Sequence, residues 1–414
     1  MNHGFVPTRT CLSPRPAIAM LAVILWVATM ASAVQAQTFQ VLHAFAAQAD
    51  GGQPETGLTI DRAGNLYGTA HFSISNGSEV FKMTHGNSGW HLQVLHMFQN
   101  AEGGRPLSPV AFGPDGALYG TMFGGGQYNY GTVYALRPPR SICRVVPCPW
   151  NATVLYSFTG GPDSKFPEGH LTFDQAGNIY GTAAGEDLAG NPGAGFQYGS
   201  VWELVRSGVS YTMSVVYGFP GTPLAPQTPL GGVTFDQAGN LYGTTVAGGG
   251  HEQGAIFELS PSGEGWTSQL LYSFYNAQGS APEAGLISDS AGNMYGVSFM
   301  NPYVFKLTPS GGGWNFTNLY QVSTGNGPNS DLTIDSQGNL YGANLSGGQH
   351  NRGNVFKLTP SNGTWIYTDL YDFTGENDGG APNGKVVIDA SGNIYGTASQ
   401  NGAYGWGTVW EITP

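Results

Sequence analysis

The chain has 414 residues, a formal net charge of −12 at pH 7, and charged residues at only 10 % of its positions. With 65 glycines and 26 prolines, the composition is unusual for a helical enzyme and typical of many short strands joined by turns. The 14 lysines and arginines are too few for a nucleic-acid partner or for an anionic membrane surface.

The first 36 residues have the three-part pattern of a secretory signal peptide. Arginines without acidic residues come first, an apolar run extends from Ala17 to Ala28, and the small residues of "ASAVQAQ" follow. We expect cleavage after Ala36, with Ala33 as the alternative. The apolar run is too short to span a bilayer, and no second run of spanning length follows. The sequence therefore predicts a leader at 1–36 and a secreted or periplasmic monomer without a transmembrane segment.

Two cysteines remain after the leader, which contains Cys11. In an exported protein, Cys143 and Cys148 predict one disulfide that closes a small loop, with free thiols as the alternative. A zinc site would need four ligands, and no second C-x-x-C or His pair lies nearby.

One nine-residue motif recurs along the chain. It reads "DRAGNLYGT" from Asp61 and "DQAGNLYGT" from Asp236, and five further copies differ slightly. Their spacing of 46 to 62 residues indicates a repeat architecture. The motif tyrosines are Tyr67, Tyr119, Tyr180, Tyr242, Tyr295, Tyr341 and Tyr395.

Each repeat carries four strand patterns, which we label a to d. "GLTI" (57–60) is a typical a, the "NLYGT" of the motif is b, "GNVFKLTP" (353–360) is c, and "WHLQVLHMF" from Trp90 is d. Their alternation and their β-branched and aromatic residues are typical of strands.

The last repeat has no d pattern, and the N-terminal "QTFQVLHAF" (37–45) aligns with the d pattern of the first. This segment completes the last repeat, because closing a ring hides the edge strands that an open array exposes. The sequence predicts an all-β fold, a seven-bladed β-propeller of four-stranded blades closed one-plus-three, as a single domain over 37–414.

The two faces of this ring differ in their connections. The a–b and c–d links are tight turns, and the motif's Asp, Gly and Asn suit a type I turn, so we interpret them as scaffold and the motif Tyr as packing between blades. The b–c and d–a links, such as 122–131, 183–199 and 374–384, are long and polar. We expect a ligand site on this loop face, near the axis, because function in repeat rings concentrates where loops vary.

Exposed aromatic and basic residues of the b–c loops are the candidates for binding. Aromatic rings stack on sugars or apolar ligands, and the alternative is that they pack against neighbouring blades. The histidines could also serve a metal or acid–base role or be solvated loop residues, and we assign no catalytic residue and no metal ligand. The candidates are Tyr128, Tyr130, Tyr198, His251, His350, Arg352, Tyr404 and Trp406.

Acidic residues of the d–a links offer oxygen ligands for Ca²⁺. No EF-hand or nonapeptide calcium spacing is present, so Ca²⁺ is the one cofactor considered and none is assigned. These acids are Asp50, Glu55, Asp163, Glu168, Glu376 and Asp378.

The recurring order of "DQAGNLYGT", "GAIFELSPSG" and "LYSF" closely resembles the Gloeo/Verruco (GloVer) tandem repeat of exported, choice-of-anchor type bacterial proteins. The resemblance covers essentially the whole chain after the leader. It implies the repeat fold and export, and it implies no catalytic residues. The second repeat departs from the pattern, with Gly113 in place of Asp and Ala117 in place of Asn.

Three functions stay open. The first is a non-catalytic binding module for a glycan, peptide or protein partner. The second is a glycan hydrolase or lyase with carboxylates near the axis, although S-x-D-x-G-x-T-W, G-x-S-x-G and H-E-x-x-H motifs and nucleotide loops are absent. The third is a structural role in an envelope or matrix. Converging acids in the axial mouth would favour the enzyme, and an aromatic, acid-poor mouth would favour binding.

Overall fold

The computed structural model describes residues 1, 3–4, 37–47, 50–71, 77–139, 148–185, 198–222, 224–263, 265–275, 279–322 and 327–414. Residues 39–413 form one compact unit; the other, Met1–Thr38 with Pro414, is described only at 1, 3–4, 37–38 and 414. The predicted leader therefore lies almost wholly outside the described residues, and its boundary at 36 stays a prediction. Within these ranges no helix occurs, and so none that could cross a membrane.

Seven four-stranded antiparallel sheets form the blades of a β-propeller, as the repeat predicts. The first strand of the chain is β1 (Thr38–Ala44). Blades 1 to 3 then contain, in the order a to d, β2 (Thr59–Ile60), β3 (Leu66–Ala70), β4 (Ser78–Gly86) and β5 (Gly89–Phe98); β6 (Ala111–Phe112), β7 (Leu118–Met122), β8 (Thr132–Arg137) and β9 (Asn151–Ser157); and β10 (Thr172–Phe173), β11 (Ile179–Ala183), β12 (Ser200–Ser207) and β13 (Ser210–Gly218).

The remaining four blades follow the same order. A short pair, β14 (Pro226–Gln227) with β17 (Ala247–Gly248), adds a two-stranded sheet on the loop face of blade 4. The blade strands are β15 (Thr234–Phe235), β16 (Leu241–Thr245), β18 (Ala255–Ser262) and β19 (Gly265–Ser273); β20 (Ile287–Ser288), β21 (Met294–Val297), β22 (Tyr303–Ser310) and β23 (Gly313–Gln321); β24 (Thr333–Ile334), β25 (Leu340–Asn344), β26 (Asn354–Ser361) and β27 (Thr364–Asp372); and β28 (Val387–Ile388), β29 (Ile394–Ala398) and β30 (Thr408–Thr413).

The N-terminal strand closes the ring. The sheet of blade 7 has the order β1-β30-β29-β28, so β1 is its outer strand d, which confirms the predicted one-plus-three closure. The Phe39 ring stacks on Tyr371 of blade 6, with centroids 3.7 Å apart and planes 6° apart, and Phe45 is fully buried. These aromatic contacts attach the N-terminal strand to two blades at once.

The recurring motif is an a–b turn. In blade 4, Oδ1 of Asp236 accepts the N–H groups of Ala238 and Asn240, and its Oδ2 accepts the Asn240 amide and the Tyr242 hydroxyl. Gly239 has φ of +89°, which ends the turn without a side-chain clash. The turn is therefore scaffold, and its tyrosine connects it to the core between blades.

The hydrophobic core lies between neighbouring blades. Tyr67 of blade 1, for example, packs in one cluster with Leu118 and Tyr134 of blade 2. The glycine after the motif tyrosine is needed here, because a Cβ on Gly181 would lie 2.4 Å from the indole of Trp202. Seven such clusters hold neighbouring blades together. The short a strand lies at the inner edge of each sheet, and the d–a links lead into these strands.

Candidate functional site

A cavity of about 120 Å³ opens at the axis on the loop face, and residues just before strand a in all seven blades line it. We call it the axial mouth. Each repeat contributes the segment that follows a proline. The residues directly after these prolines are Glu55, Leu107, Glu168, Leu230, Glu283, Asn329 and Asn383.

Strained backbone holds these segments in place. In blade 3 the residue before the proline, Phe166, has φ of 62°; its N–H donates to Tyr130 O at 2.9 Å in blade 2, and its carbonyl accepts Ala184 N–H at 3.1 Å in its own blade. Ala381 of blade 7 repeats this arrangement with Arg352 O at 2.8 Å and Ser399 N–H at 3.2 Å. A left-handed non-glycine residue costs about 1–3 kcal/mol, which the two hydrogen bonds offset. The segments that line the mouth are therefore held by pairs of hydrogen bonds that connect neighbouring blades. We call each such pair a clasp.

Three glutamates give the mouth an acidic rim. Burial raises the pKa of Glu168 to about 7, and the charges of Glu283 and Glu55 raise it further while Arg105 opposes them. Burial likewise raises the pKa of Glu283 to about 7. These two carboxyls are thus partly protonated at neutral pH, and a ligand that favours their charged form would release protons on binding.

Two asparagines complete the rim with unused acceptors. Oδ1 of Asn329 and Oδ1 of Asn383 are buried and have no hydrogen-bond partner among the described residues. A buried acceptor without a partner costs about 1–3 kcal/mol. The rim thus holds hydrogen-bonding capacity that the protein itself leaves unused.

His170 and Asp331 form the floor of the mouth. Nδ1 of His170 in blade 3 lies 2.8 Å from Oδ2 of Asp331 in blade 6, whose Oδ1 accepts Gly285 N–H at 2.8 Å. The imidazole fits because blades 4 and 5 have glycine here: a Cβ on Gly232 or on Gly285 would lie 2.6 Å from its ring. The pair therefore connects blades 3 and 6 across blades 4 and 5.

Charge around the floor keeps Asp331 ionised. Burial acts to raise the pKa of Asp331, but His170, Lys385 and the Gly285 N–H outweigh it and hold the pKa below its ordinary value. The three side chains of His170, Asp331 and Lys385 also border a second, mostly apolar cavity of about 360 Å³ lined by strand-a residues such as Leu58 and Val110. The floor therefore separates a polar mouth from an apolar channel.

One histidine lies beside the rim. Nδ1 of His71 is 3.5 Å from Oε2 of Glu55. Burial lowers the pKa of His71; Glu55 opposes this shift and Arg105 adds to it. Burial therefore favours the neutral imidazole of His71 beside Glu55.

The binding residues predicted from the sequence lie outside the mouth, and none of them lines it. Tyr130, Tyr198, Arg352 and Trp406 hold one repeated place, where the backbone carbonyl accepts the N–H that precedes the next proline. The side chains of Tyr130 and Arg352 lie over the d–a links that follow, as a Cβ on Gly160 or Gly375 would meet them at 2.6 and 2.8 Å.

The other four candidates are spread over four blades. Tyr128 and Tyr404 are 48 % and 64 % exposed. His251 and His350 are exposed as well, and the His251 ring lies 5.5 Å from that of Tyr275. The structure therefore does not bring the eight residues together, and their role in binding stays a prediction.

The acids considered for Ca²⁺ lie in three different settings. Asp50, Asp163 and Asp378 hold the d–a corner: Asp163 Oδ2 accepts the Tyr156 hydroxyl at 2.8 Å and Thr159 N–H at 2.7 Å, and Asp378 does the same with Tyr371 and Thr374. Glu55 and Glu168 belong to the mouth, and Glu376 is exposed. Among the described residues no three His, Cys, Asp or Glu side chains are grouped as a metal site.

Several residues of the mouth were not singled out by the sequence reasoning: Glu283, Asn329, Asn383, His170 and Asp331. A signal was present, because the segments "PETG", "PLSP", "PEGH", "PLGG", "PEAG", "PNSD" and "PNGK" align before strand a. Their last letter departs from glycine at Pro109, His170, Asp331 and Lys385. The three polar departures mark where a repeat does more than fold.

The predicted disulfide concerns the insertion in blade 2. Cys148 is disulfide-bonded. Cys143 lies outside the described residues, so the pairing of these two cysteines stays a prediction. The predicted loop 183–199 is likewise described only at its two ends.

Comparison with known proteins agrees with the repeat and the fold. The family model described as the Gloeobacter/Verrucomicrobia repeat matches residues 29–196 and 298–414, more than half of the chain. No curated protein matches the sequence.

Two solved structures show the same fold at low identity. A candidate 6-phosphogluconolactonase from Bacteroides uniformis is 14 % identical with a TM-score of 0.50, over 76 % of this chain and 83 % of that one. The extracellular domain of a candidate hybrid two-component system from B. thetaiotaomicron is 13 % identical with a TM-score of 0.54, over 90 % of this chain and 39 % of that one. At these identities the likeness concerns the fold alone.

Proposed function

The chain belongs to the Gloeobacter/Verrucomicrobia repeat family, and we propose that it is an exported binding propeller whose axial mouth takes a small polar ligand, the hydroxyl or amino groups of a glycan. The leader pattern supports export. One of the propellers with the same fold is an extracellular domain, which is consistent with such a location. The protein acts as a monomer in this proposal, because the ring closes within one chain.

One observation carries the proposal: the buried Oδ1 atoms of Asn329 and Asn383 are without partners in the described structure and belong to the rim of an open cavity. An acceptor of this kind is costly unless a ligand or water uses it. Beside them, the carboxyls of Glu168 and Glu283 add further oxygen atoms. A ligand with several hydrogen-bond donors fits this rim, whereas an apolar ligand leaves the oxygens unsatisfied.

The proposal is tested with an array of immobilised glycans, followed by calorimetric titration of glucose, glucosamine and N-acetylglucosamine. The double variant Asn329→Leu with Asn383→Leu introduces the residue that Leu107 and Leu230 provide at the same place, so the blades keep a side chain they already accommodate. We expect this variant to lose at least about tenfold in affinity, since each lost hydrogen bond is worth about 0.5–1.5 kcal/mol.

Tyr404→Ala is the matched control, because Tyr404 is an outer candidate that is 64 % exposed. We expect its binding to equal that of the unmodified protein. Full binding by the leucine variant together with loss in Tyr404→Ala would place the site on the outer loops and overturn the mouth. Absence of binding to any glycan would overturn the glycan ligand.

A second candidate function is glycan hydrolysis or elimination, favoured by the acidic rim, which an aromatic binding mouth would lack. Acid–base pairs normally need environments that move two pKa values apart, but Glu168 and Glu283 both move to about 7. We therefore place binding first. Two assays test this function: release of 4-nitrophenol from its glycosides for hydrolysis, and absorbance of an unsaturated uronate at the ends of cut polymers for elimination. A signal that is lost in Glu168→Gln would establish the enzyme instead.

A further inference from the structure

A cleft of about 710 Å³ opens on the turn face, which is the face of the ring that carries the a–b and c–d turns, at the junction of blades 2 and 3. We call it the blade 2–3 cleft. Asp115 and Ala117 of the a–b turn, Arg137 at the end of β8, and Arg206 with Tyr211 around the c–d turn of blade 3 line it. The corresponding groove at blades 4 and 5, beside Trp314, has about 410 Å³.

A packing contact that recurs at other junctions is changed at the cleft. At four other junctions the motif tyrosine of one blade packs against a tryptophan that opens strand d of the next; the ring centroids of Tyr242 and Trp314 are 5.4 Å apart. At the blade 2–3 junction Tyr211 stands in the tryptophan's place, and its hydroxyl lies 3.3 Å from that of Tyr119. A smaller ring leaves space, and two phenols make that space polar. The same tyrosine–tryptophan contact occurs between Tyr67 and Trp150, Tyr295 and Trp365, and Tyr395 and Trp90.

The acidic residue of the turn has also moved. In other repeats the aspartate is six residues before the tyrosine, but here Gly113 occupies that place, and a Cβ on it would lie 2.4 Å from the Tyr119 ring. Asp115 accepts the Tyr119 hydroxyl instead, at 2.9 Å. Its Oδ1 still accepts the Ala117 N–H of the turn at 3.2 Å, and its Oδ2 is the oxygen that the arginines of the cleft approach.

Two guanidinium groups share this one carboxylate. Nη2 of Arg137 donates to Asp115 Oδ2 at 2.9 Å and to the Tyr119 hydroxyl at 3.1 Å. Nη2 of Arg206 lies 3.8 Å from the same Oδ2, and its Nε donates to Gly208 O at 3.2 Å. Each guanidinium has five N–H donors, so the donors of the two groups outnumber the acceptors that they contact in the cleft. Among the cleft residues that the structure describes, one positive charge is left in surplus, in a chain of net charge −12.

We propose that the blade 2–3 cleft binds the oxyanion, carboxylate or phosphate, of a small acidic ligand such as an acidic sugar. Arginine recognises both oxyanions through paired N–H donors, and the cleft has the volume of ordinary small-ligand sites. The negative net charge of the chain repels such ligands at long range. Local hydrogen bonds therefore supply the affinity, and salt weakens it.

The test is calorimetric titration of the full chain carrying Asn329→Leu and Asn383→Leu, which remove the proposed mouth site, with D-glucuronate, with glucose 6-phosphate and with glucose. We expect saturable binding of one or both acidic sugars and none of glucose. Binding of glucuronate alone identifies a carboxylate ligand, glucose 6-phosphate alone identifies a phosphate ligand, and both together identify general oxyanion recognition.

Two variants examine the site itself. Arg137→Gln with Arg206→Gln removes the surplus charge, and Tyr211→Trp rebuilds the packing of the other junctions and fills the cleft. Each should lower affinity at least about tenfold: the first because the paired N–H donors of both guanidinium groups are lost, and the second because the indole occupies the space of the ligand. Lys306→Gln is the control, because Lys306 Nζ lies 5.6 Å from the Tyr295 ring at a comparable place in blade 5; its binding should be unchanged.

The proposal is overturned if neither acidic sugar binds, or if glucose binds as well as they do. Unchanged affinity in both cleft variants would overturn it too. Tyr211→Trp also controls for misfolding. If this variant loses binding but keeps the melting temperature of the unmodified protein, the loss comes from the filled cleft and not from a destabilised fold.

Discussion

Nδ1 of His170 in blade 3 lies 2.8 Å from Oδ2 of Asp331 in blade 6, so two blades that are not neighbours meet at the floor of the axial mouth. Asp331→Asn removes the charge but preserves the shape of the side chain. We expect it to lower the free energy of unfolding by about 3 kcal/mol, because His170 and Lys385 lose the buried carboxylate beside them. Urea unfolding at pH 7 measures this, with the exposed Ser336→Ala as control.

The same variant predicts a pH dependence. Despite burial, the pKa of Asp331 is held below its ordinary value by His170, Lys385 and the Gly285 N–H. A carboxyl whose pKa is lowered by folding stabilises the native state above about pH 4, and this stabilisation is lost as the pH falls toward the folded value. The difference between the unmodified protein and Asp331→Asn should therefore shrink below about pH 4. A difference that stays constant down to pH 3 would contradict the pair.

Glu79 predicts the opposite pH dependence. In blade 1 it holds the place of Thr132 and Thr408, whose hydroxyls donate to backbone carbonyls of the d–a links at 2.7 and 3.0 Å. Both carboxyl oxygens of Glu79 are buried without a partner among the described residues, and burial, helped by Asp50, raises its pKa to about 8. Glu79 is therefore a neutral acid in the folded state at neutral pH.

A raised folded pKa makes stability fall as the pH rises from about 4.5 through 8, because the native state binds the extra proton. Glu79→Gln is neutral at every pH. We expect it to match the unmodified protein near pH 5 and to melt at a higher temperature at pH 9. The exposed Glu252→Gln serves as control, and equal melting of Glu79→Gln and the unmodified protein at pH 9 would refute the assignment.

Glu168→Gln separates a functional role of the mouth from a structural one. Since burial raises the pKa of Glu168 to about 7, its ionised form is unfavourable in the folded state without ligand. We expect the variant to gain about 1 kcal/mol of stability at pH 8, a value reduced for partial contact with water, and to lose glycan binding. A loss of stability would show that the glutamate supports the fold instead.

Asp236→Ala tests the scaffold interpretation of the motif. The side chain accepts four hydrogen bonds within its own turn. We expect truncation to lower the free energy of unfolding by about 2 kcal/mol and to leave binding at the mouth unchanged. The neighbouring Gln237→Ala, at an exposed turn position, should be neutral in the same urea titration. Loss of ligand binding without loss of stability would return the motif to the list of sites.

The fold was predictable from the sequence because its causes are local and repeated. Asp236 and Gly239 specify a turn through hydrogen bonds and φ within four residues. Closure followed from the alignment of residues 37–45 with the d strand of blade 1. The departures Gly113 and Ala117 were also visible, but that Asp115 takes over the tyrosine contact follows only from the folded turn.

The site could not be predicted in the same way. Prominent aromatics such as Tyr130 and Trp406 suggested the outer loops, yet their carbonyls serve the clasps between blades. Glu168, Glu283 and Asn329 are far apart along the chain and become neighbours only where seven strands converge. By itself the sequence determined the seven-bladed ring and its closure, because those depend on short-range turn and strand chemistry. The tertiary structure alone decided which side chains share the axial mouth and the blade 2–3 cleft, because burial and charge at such places depend on groups that the closed ring brings together.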